Sequence, residues 1–222
     1  MQTPEHGPDK TSWLFTYPDT YEIGLPNAGL QILYEIINER PDAAAERSYA
    51  PWVDMEELLR REGLPLFSVD THKPAGEFDI IAFNLSAELT YTNLVNCIDL
   101  AGVPIHSARR ADADPLIAVG GHCTYNPEPI ADFVDLVVLG DGEEVIGDIT
   151  DLVGEWKCNG KNAGTREGLL RELSKIEGVY VPSMYEVEYD GEFLAAVTPR
   201  YPDVPEKVEK RTVADLADWP YP

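Results

Sequence analysis

Two glycine-bearing turns lie about twenty residues apart in "GGHCTYNPEPIADFVDLVVLGDGEE" (120–144), each directly after an apolar run. Gly120, Gly121, Gly140 and Gly142 permit close backbone approach and unusual dihedral angles. His122, Thr124 and Asp141 set polar groups beside them. Two further loops have the same character. "YPDTYEIGLPN" (17–27) carries Asp19, Thr20, Tyr21 and Gly24, and "NLSAELTYTN" (84–93) carries Ser86 and Glu88. Hydroxyls, carboxylates and bare backbone in this mixture suit recognition of a bulky ligand of mixed polarity. They do not suit a nucleotide cradle. There is no GxxxxGK[ST] motif, no GxGxxG follows the first strand, and "GDGEE" sets carboxylates where a phosphate would be repelled. Each feature also has a bland explanation. A glycine after a strand is ordinary turn chemistry. Glu143 and Glu144 complement a helix dipole. Tyr17, Tyr21, Tyr91 and Tyr125 fit as half-buried aromatics. The coincidence of four such loops favours a site.

The elements that must position these loops alternate in type. Strand-like runs are "SWLFTY" (12–17), "AERSYAP" (45–51), "FDIIAFNLS" (78–86), "PLIAVGG" (115–121) and "DLVVLGDG" (135–142), with "LPLFSV" (64–69) as a short extra strand. Helical periodicity marks 24–40, 53–63 with Asp54 or a neighbour as cap, 92–102 ended by Gly102, and 143–156. Strands alternating with helices predict an α/β, doubly wound, flavodoxin-like five-stranded parallel sheet. All four polar loops then fall at the carboxyl ends of strands, where open sheets of this class bind ligands. Past residue 157 the pattern changes. "KCNGKNAGT" (157–165) is loop-like, 166–176 is an amphipathic helix, and the run around Asp190-Gly191 predicts a β-hairpin. The domains are thus a polar tail (1–11), the Rossmann-like domain (12–157), a helix-plus-hairpin extension (158–200) and a linker (201–222).

Composition narrows the function. The net charge is −23, which disfavours direct binding to nucleic-acid phosphates. No run approaches the ~18 apolar residues of a membrane helix, and the start "MQTPEHGPDKTSW" lacks a signal peptide's pattern. A cytoplasmic location is expected. Cys97, Cys123 and Cys158 form no disulfide framework and no CxxC pair. Cys97 belongs to a helix core, while Cys123 at a loop mouth has no defined base beside it.

"YPDTYEIGLPNAGLQILYEIIN", "EFDIIAFNLSAELTYTNLVNCIDLAGVPI" and "GGHCTYNPEPIADFVDLVVLGDGEEV" resemble the N-terminal cobalamin-binding-type domain of radical S-adenosylmethionine proteins, in a subfamily with this domain ahead of the radical domain. The resemblance covers 12 to about 156, and the segment to 222 is similar to the connector that precedes the radical domain. It implies that Gly120, Gly121, His122 and Thr124 line one side of cobalamin's nucleotide tail and Gly140, Asp141 and Gly142 the other. It further implies that Ser86 and Glu88 face the tail or its sugar, and that the loop with Asp19, Thr20, Tyr21 and Gly24 meets the corrin. Related methyltransferase-type domains carry DxHxxG after the first strand. Here that loop has no histidine, and "DTHKPAG" (70–76) follows the wrong strand with its glycine one place late. Cobalamin would therefore sit base-off, with no protein histidine on cobalt. "GGH" also stands where family members often have "GGP". The motif for a 4Fe-4S cluster is absent, so the cluster, S-adenosylmethionine and the catalysis are expected in a radical domain of the same polypeptide. Catalytic and metal-ligating residues are not expected in this chain. Two other readings stand beside this one: a degenerate domain that serves as a docking or substrate-positioning module, and a stand-alone binder of another small molecule in the loop crevice.

Overall fold

The structure is a computed structural model that describes residues 5–158 and 164–220. The loop assigned to 157–165 and the tail assigned to 1–11 fall partly outside the described residues.

The chain opens with β1 (Thr11–Tyr17), buried along nearly its whole length. A single turn, α1 (Tyr21–Gly24), leads to α2 (Ala28–Glu39), where the Asn27 side chain caps the helix by accepting from Leu30 N. There follow β2 (Ala43–Tyr49), α3 (Val53–Glu62), β3 (Ile80–Asn84), α4 (Tyr91–Leu100), β4 (Leu116–Gly120), β5 (Leu136–Val138) and α5 (Gly142–Cys158). Further along come α6 (Arg166–Leu173), β6 (Val179–Tyr180) and the hairpin β7 (Tyr185–Asp190) and β8 (Phe193–Pro199). Gly191 turns the hairpin at φ 64°.

The fold is α/β with strand order β2-β1-β3-β4-β5-β6. The five expected strands are parallel, in the flavodoxin-like order that reverses between β1 and β3. A sixth strand, β6, adds antiparallel to β5 through Val137–Tyr180 and Val138–Val179. The C-terminal extension therefore supplies an edge of the main sheet.

Register sorts the sheet into two faces. Trp13 and Phe15 share one with Ile80, Ala82 and Asn84, with Leu116, Ala118 and Gly120, and with Leu136 and Val138. Helix α5 lies on that face, where Trp13 Nε1 donates to Thr150 Oγ1 at 3.0 Å. Helix α2 packs beside α5. Right-handed crossovers put α4 on the opposite face.

Two buried polar clusters fix the periphery. Asp135 Oδ2 accepts from Arg110 Nη1 (2.7 Å), Arg166 Nη2 (3.1 Å) and Ile117 N (2.8 Å), which ties α6 to the sheet. Burial lowers the pKa of Arg110 despite its carboxylate partner. On the other edge Glu46 of β2 is fully buried and accepts from Ser68, Thr71 and His6.

That second cluster explains one departure from the sequence expectation. "LPLFSV" forms no strand and contributes only an isolated antiparallel bridge, Phe67–Pro74. Its polar groups serve β2 instead: Ser68 Oγ donates to Glu46, and Val69 N donates to Arg47 O. The start of α3 also differs. Trp52 is its N-cap residue, without a side-chain cap, and Asp54 lies inside the first turn with Oδ1 accepting from Met55 N. Among the described residues, no helix is long and apolar enough to cross a membrane.

Candidate functional site

A cavity of about 300 Å³ opens between the sheet and the helices α2 and α5. Its floor follows from the register. Ala82, Ala118 and Gly120 occupy adjacent positions on β3 and β4, where larger residues would fill the layer under the helices. Trp13, Phe15 and Val138 wall this trough, and Gly29, Leu30 and Leu33 of α2 and Ile146 of α5 roof it. At the mouth stand Asn84, His122, Asp141 and Glu143. The cavity lies at the carboxyl end of the sheet beside the β1/β3 reversal, the position where doubly wound folds bind ligands. Asn84 Nδ2 donates to Asn27 Oδ1 at 3.3 Å, which links the end of β3 to the cap of α2 beside the cavity.

The electrostatics are one-sided. Asp141 and Glu143 are the charged residues of the lining, and no Lys or Arg lies among them. An apolar body with an uncharged or cationic end would fit the slot, and a phosphate set against Asp141 and Glu143 would be repelled. Cys123 is half-buried near the mouth. Burial and the nearby Glu88 push its thiol up, away from the thiolate a nucleophile needs.

The structure brings Gly120, Gly121, His122, Gly140, Asp141 and Gly142 together around the cavity. Thr124 lies behind it, buried, with Oγ1 2.7 Å from Gly121 O and 3.0 Å from Val138 O, so it braces β4 against β5. Ser86 is exposed and donates to Asn84 Oδ1, while Glu88 is exposed in the next turn. Asp19, Thr20, Tyr21 and Gly24 lie over β1 and β2, outside the cavity lining. Asp19 Oδ1 accepts from Thr20 N, and Asp19 O accepts from Ala50 N. Tyr21 packs edge-on against Tyr49 at 5.1 Å between ring centroids and keeps 48% of its surface exposed. Gly24 is required by packing, since a Cβ there would lie 2.6 Å from the Tyr49 ring.

Sequence reasoning missed Ala82, Ala118, Gly29 and the aromatic walls Trp13 and Phe15. A signal was present. "IIAFN" and "LIAVG" each place a small residue at the same point of adjacent strands, and two small residues side by side in a bulky sheet leave a gap.

No curated protein matches the chain significantly. A family profile does, that of radical SAM proteins, N-terminal, over residues 29–182, from the cavity roof at Gly29 to just beyond β6. That match spans well over half of the chain, which therefore belongs to the family of radical SAM N-terminal domains.

Proposed function

We propose that this domain holds cobalamin for the radical domain of its polypeptide, with the nucleotide tail in the cavity and the corrin over the loops at the strand ends. The observation that carries this reading is the cavity: a slot of about 300 Å³ with largely apolar walls and a floor of Ala82, Ala118 and Gly120, open at the β1/β3 reversal. A flat aromatic base with its sugar matches such walls. Cobalamin would supply a reactive cobalt centre, and the 4Fe-4S cluster and S-adenosylmethionine would belong to the radical domain. This chain's residues would bind and orient. Phe15, Leu33 and Val138 would enclose the base, and Asn84 and His122, rather than Asp141 and Glu143, would face the phosphodiester of the tail at the mouth. Exposed Tyr21 would lie under the corrin face.

No imidazole extends from the loop after β1. His6 is held at Glu46, His72 packs against Phe67 and His106 against Phe133, while His122 lines the cavity that the tail would enter. The cofactor would bind base-off, with no protein histidine on cobalt. Titration of the full-length protein with hydroxocobalamin, followed by ultraviolet–visible spectroscopy, tests the reading. A saturable base-off spectrum is expected, and an unchanged spectrum of free cofactor would overturn it.

A second reading has its own support. The strand-end loops expose Ile23, Trp52, Leu89 and Tyr125, as a docking module for the radical domain would. If cobalamin does not bind, while Trp52→Ser or Leu89→Ser loosens the packing of the two domains, the domain positions protein or substrate instead.

A further inference from the structure

The segment assigned from sequence as a linker is built into the site. Arg211 runs parallel to Gly140 in a one-residue bridge. Arg211 N donates to Leu139 O at 2.8 Å, and Asp141 N donates to Arg211 O at 3.0 Å. Two residues on, Val213 N donates to Asp141 Oδ2 at 2.9 Å. The Arg211 guanidinium pairs with Glu144 at 2.8 Å and lies 3.4 Å from Asp148 and 3.8 Å from Glu177.

Two glycines make room for this one residue. A Cβ on Gly140 would lie 2.0 Å from Arg211 O, and one on Gly178 would lie 2.9 Å from Arg211 Cβ. Both adopt positive φ, 98° and 87°. A flexible connector would require neither. The turn that receives the strap is also a cavity wall, since Gly140, Asp141, Gly142 and Glu143 all line the cavity. One short peptide thus has the ligand space on one side and the outgoing chain on the other.

We propose that Arg211 is a positioning residue that couples occupancy of the cavity to the path of the chain leaving the domain. With the strap seated, Leu139 O and Asp141 N are fixed by Arg211, and the wall at 140–143 holds its shape. With the strap lifted, those groups lose their partners and the wall loosens. A ligand that needs the formed wall favours the seated strap, and the seated strap favours the ligand by the same factor. The ligand arm rests on the cobalamin reading; the link between wall and strap rests on geometry alone.

Amide hydrogen exchange on the full-length protein tests both. In ligand-free protein, Arg211→Ala and Glu144→Gln should raise exchange at 139–143 and 211–213 together by about tenfold, with Arg211→Lys restoring part of the protection. Faster exchange at 211–213 with none at 139–143 would overturn the positioning role. Hydroxocobalamin should slow exchange at both segments in the wild type, and Arg211→Ala should weaken its binding about tenfold. Binding that leaves 211–213 unprotected would overturn the coupling. If hydroxocobalamin does not bind the wild type, the cofactor assignment fails, and the ligand-free comparison still decides whether the strap holds the wall.

Discussion

Gly120→Leu separates the cavity from the fold. Gly120 ends β4 without a positive φ, and a Cβ there would meet only Val138 Cβ, at 3.9 Å, an ordinary contact. The leucine side chain therefore grows into the cavity of about 300 Å³. Its four carbons, each about the size of a water at ~30 Å³, take up roughly 120 Å³ and raise the floor of the slot where an aromatic base would lie. Burial of the side chain contributes ~1.5–3 kcal/mol. Loss of a glycine restricts the unfolded chain for a further ~0.4–1 kcal/mol. An imperfect rotamer costs ~1 kcal/mol. The net is a gain of about 1–3 kcal/mol, or a Tm higher by about 2–12 °C at this chain length.

Thermal melts and hydroxocobalamin titrations on the same preparation read out both effects. The expected variant is at least as stable as the wild type and binds about 100-fold more weakly, a loss of ~2.7 kcal/mol. Binding within threefold of wild type would refute the cavity as the site. A Tm drop beyond about 5 °C would show that the introduced side chain does not enter open space. Gly121→Ala is the contrasting control. Its φ of 108° and a Cβ 2.7 Å from Leu85 O should cost stability whether or not a ligand is present.

Four further outcomes follow from the same geometry. Asp135→Ala leaves Arg110 and Arg166 buried without their shared carboxylate and should destabilise by about 3–5 kcal/mol in chemical denaturation; a loss under ~1 kcal/mol would contradict the burial. Burial pushes the Glu46 carboxyl up, but hydrogen bonds from Ser68, His6 and Thr71 outweigh it and hold the pKa below its ordinary 4.5. A depressed folded pKa gives stability present above that ordinary value and lost as pH falls through the folded one. The stability gap between wild type and Glu46→Gln should therefore shrink below about pH 4.5, and a gap constant from neutral pH down to about 3 would refute this. The Cys97 thiol, pushed up to about 12 by burial, should resist alkylation in native protein, while exposed Cys158 reacts; equal rates would refute the packing of α4. Cob(II)alamin bound to the full-length protein should show no nitrogen superhyperfine splitting in its paramagnetic resonance spectrum, and a splitting abolished by His122→Ala or His72→Ala would identify a protein ligand instead.

Long periodic elements were legible in the sequence. Apolar runs such as "IIAF" between turn signals fit central strands. The helical spacing of Leu30, Leu33, Ile36 and Ile37 sets one face of α2 toward the core, where Leu30, Ile36 and Ile37 are buried together with Tyr34. Short elements set by distant partners were not. β6 has two residues before Pro182 and exists because β5 offers it an open edge. "LPLFSV" has a strand's composition, yet Glu46 sits buried on β2 and draws Ser68 and Thr71 to itself. The site was legible by half. Glycine turns mark where loops end, so Gly120 and Gly142 were found. The cavity floor depends on which residues of neighbouring strands come into register, and no single segment carries that information.

The paired glycines divide their work, which explains why one domain needs two such turns. In the first pair, Gly120 leaves the cavity open while Gly121, at φ 108°, lets the chain turn across the Leu85 backbone. In the second, Gly140 admits the Arg211 strap, and Gly142 lets α2 close in, with a Cβ there only 3.1 Å from Leu33 Cδ2. Gly121 and Gly140 are thus fixed by backbone neighbours of the same chain, and a valine at either would disturb the fold before it reached a ligand. Gly120 is the member of the four whose missing side chain is empty space. Turn chemistry accounts for Gly121, and chain packing accounts for Gly140 and Gly142. Neither accounts for a bare position at Gly120 beside Ala82 and Ala118, where filling the layer would stabilise the domain by several kcal/mol. On the cobalamin reading, that forgone stability is what keeps room for the nucleotide tail.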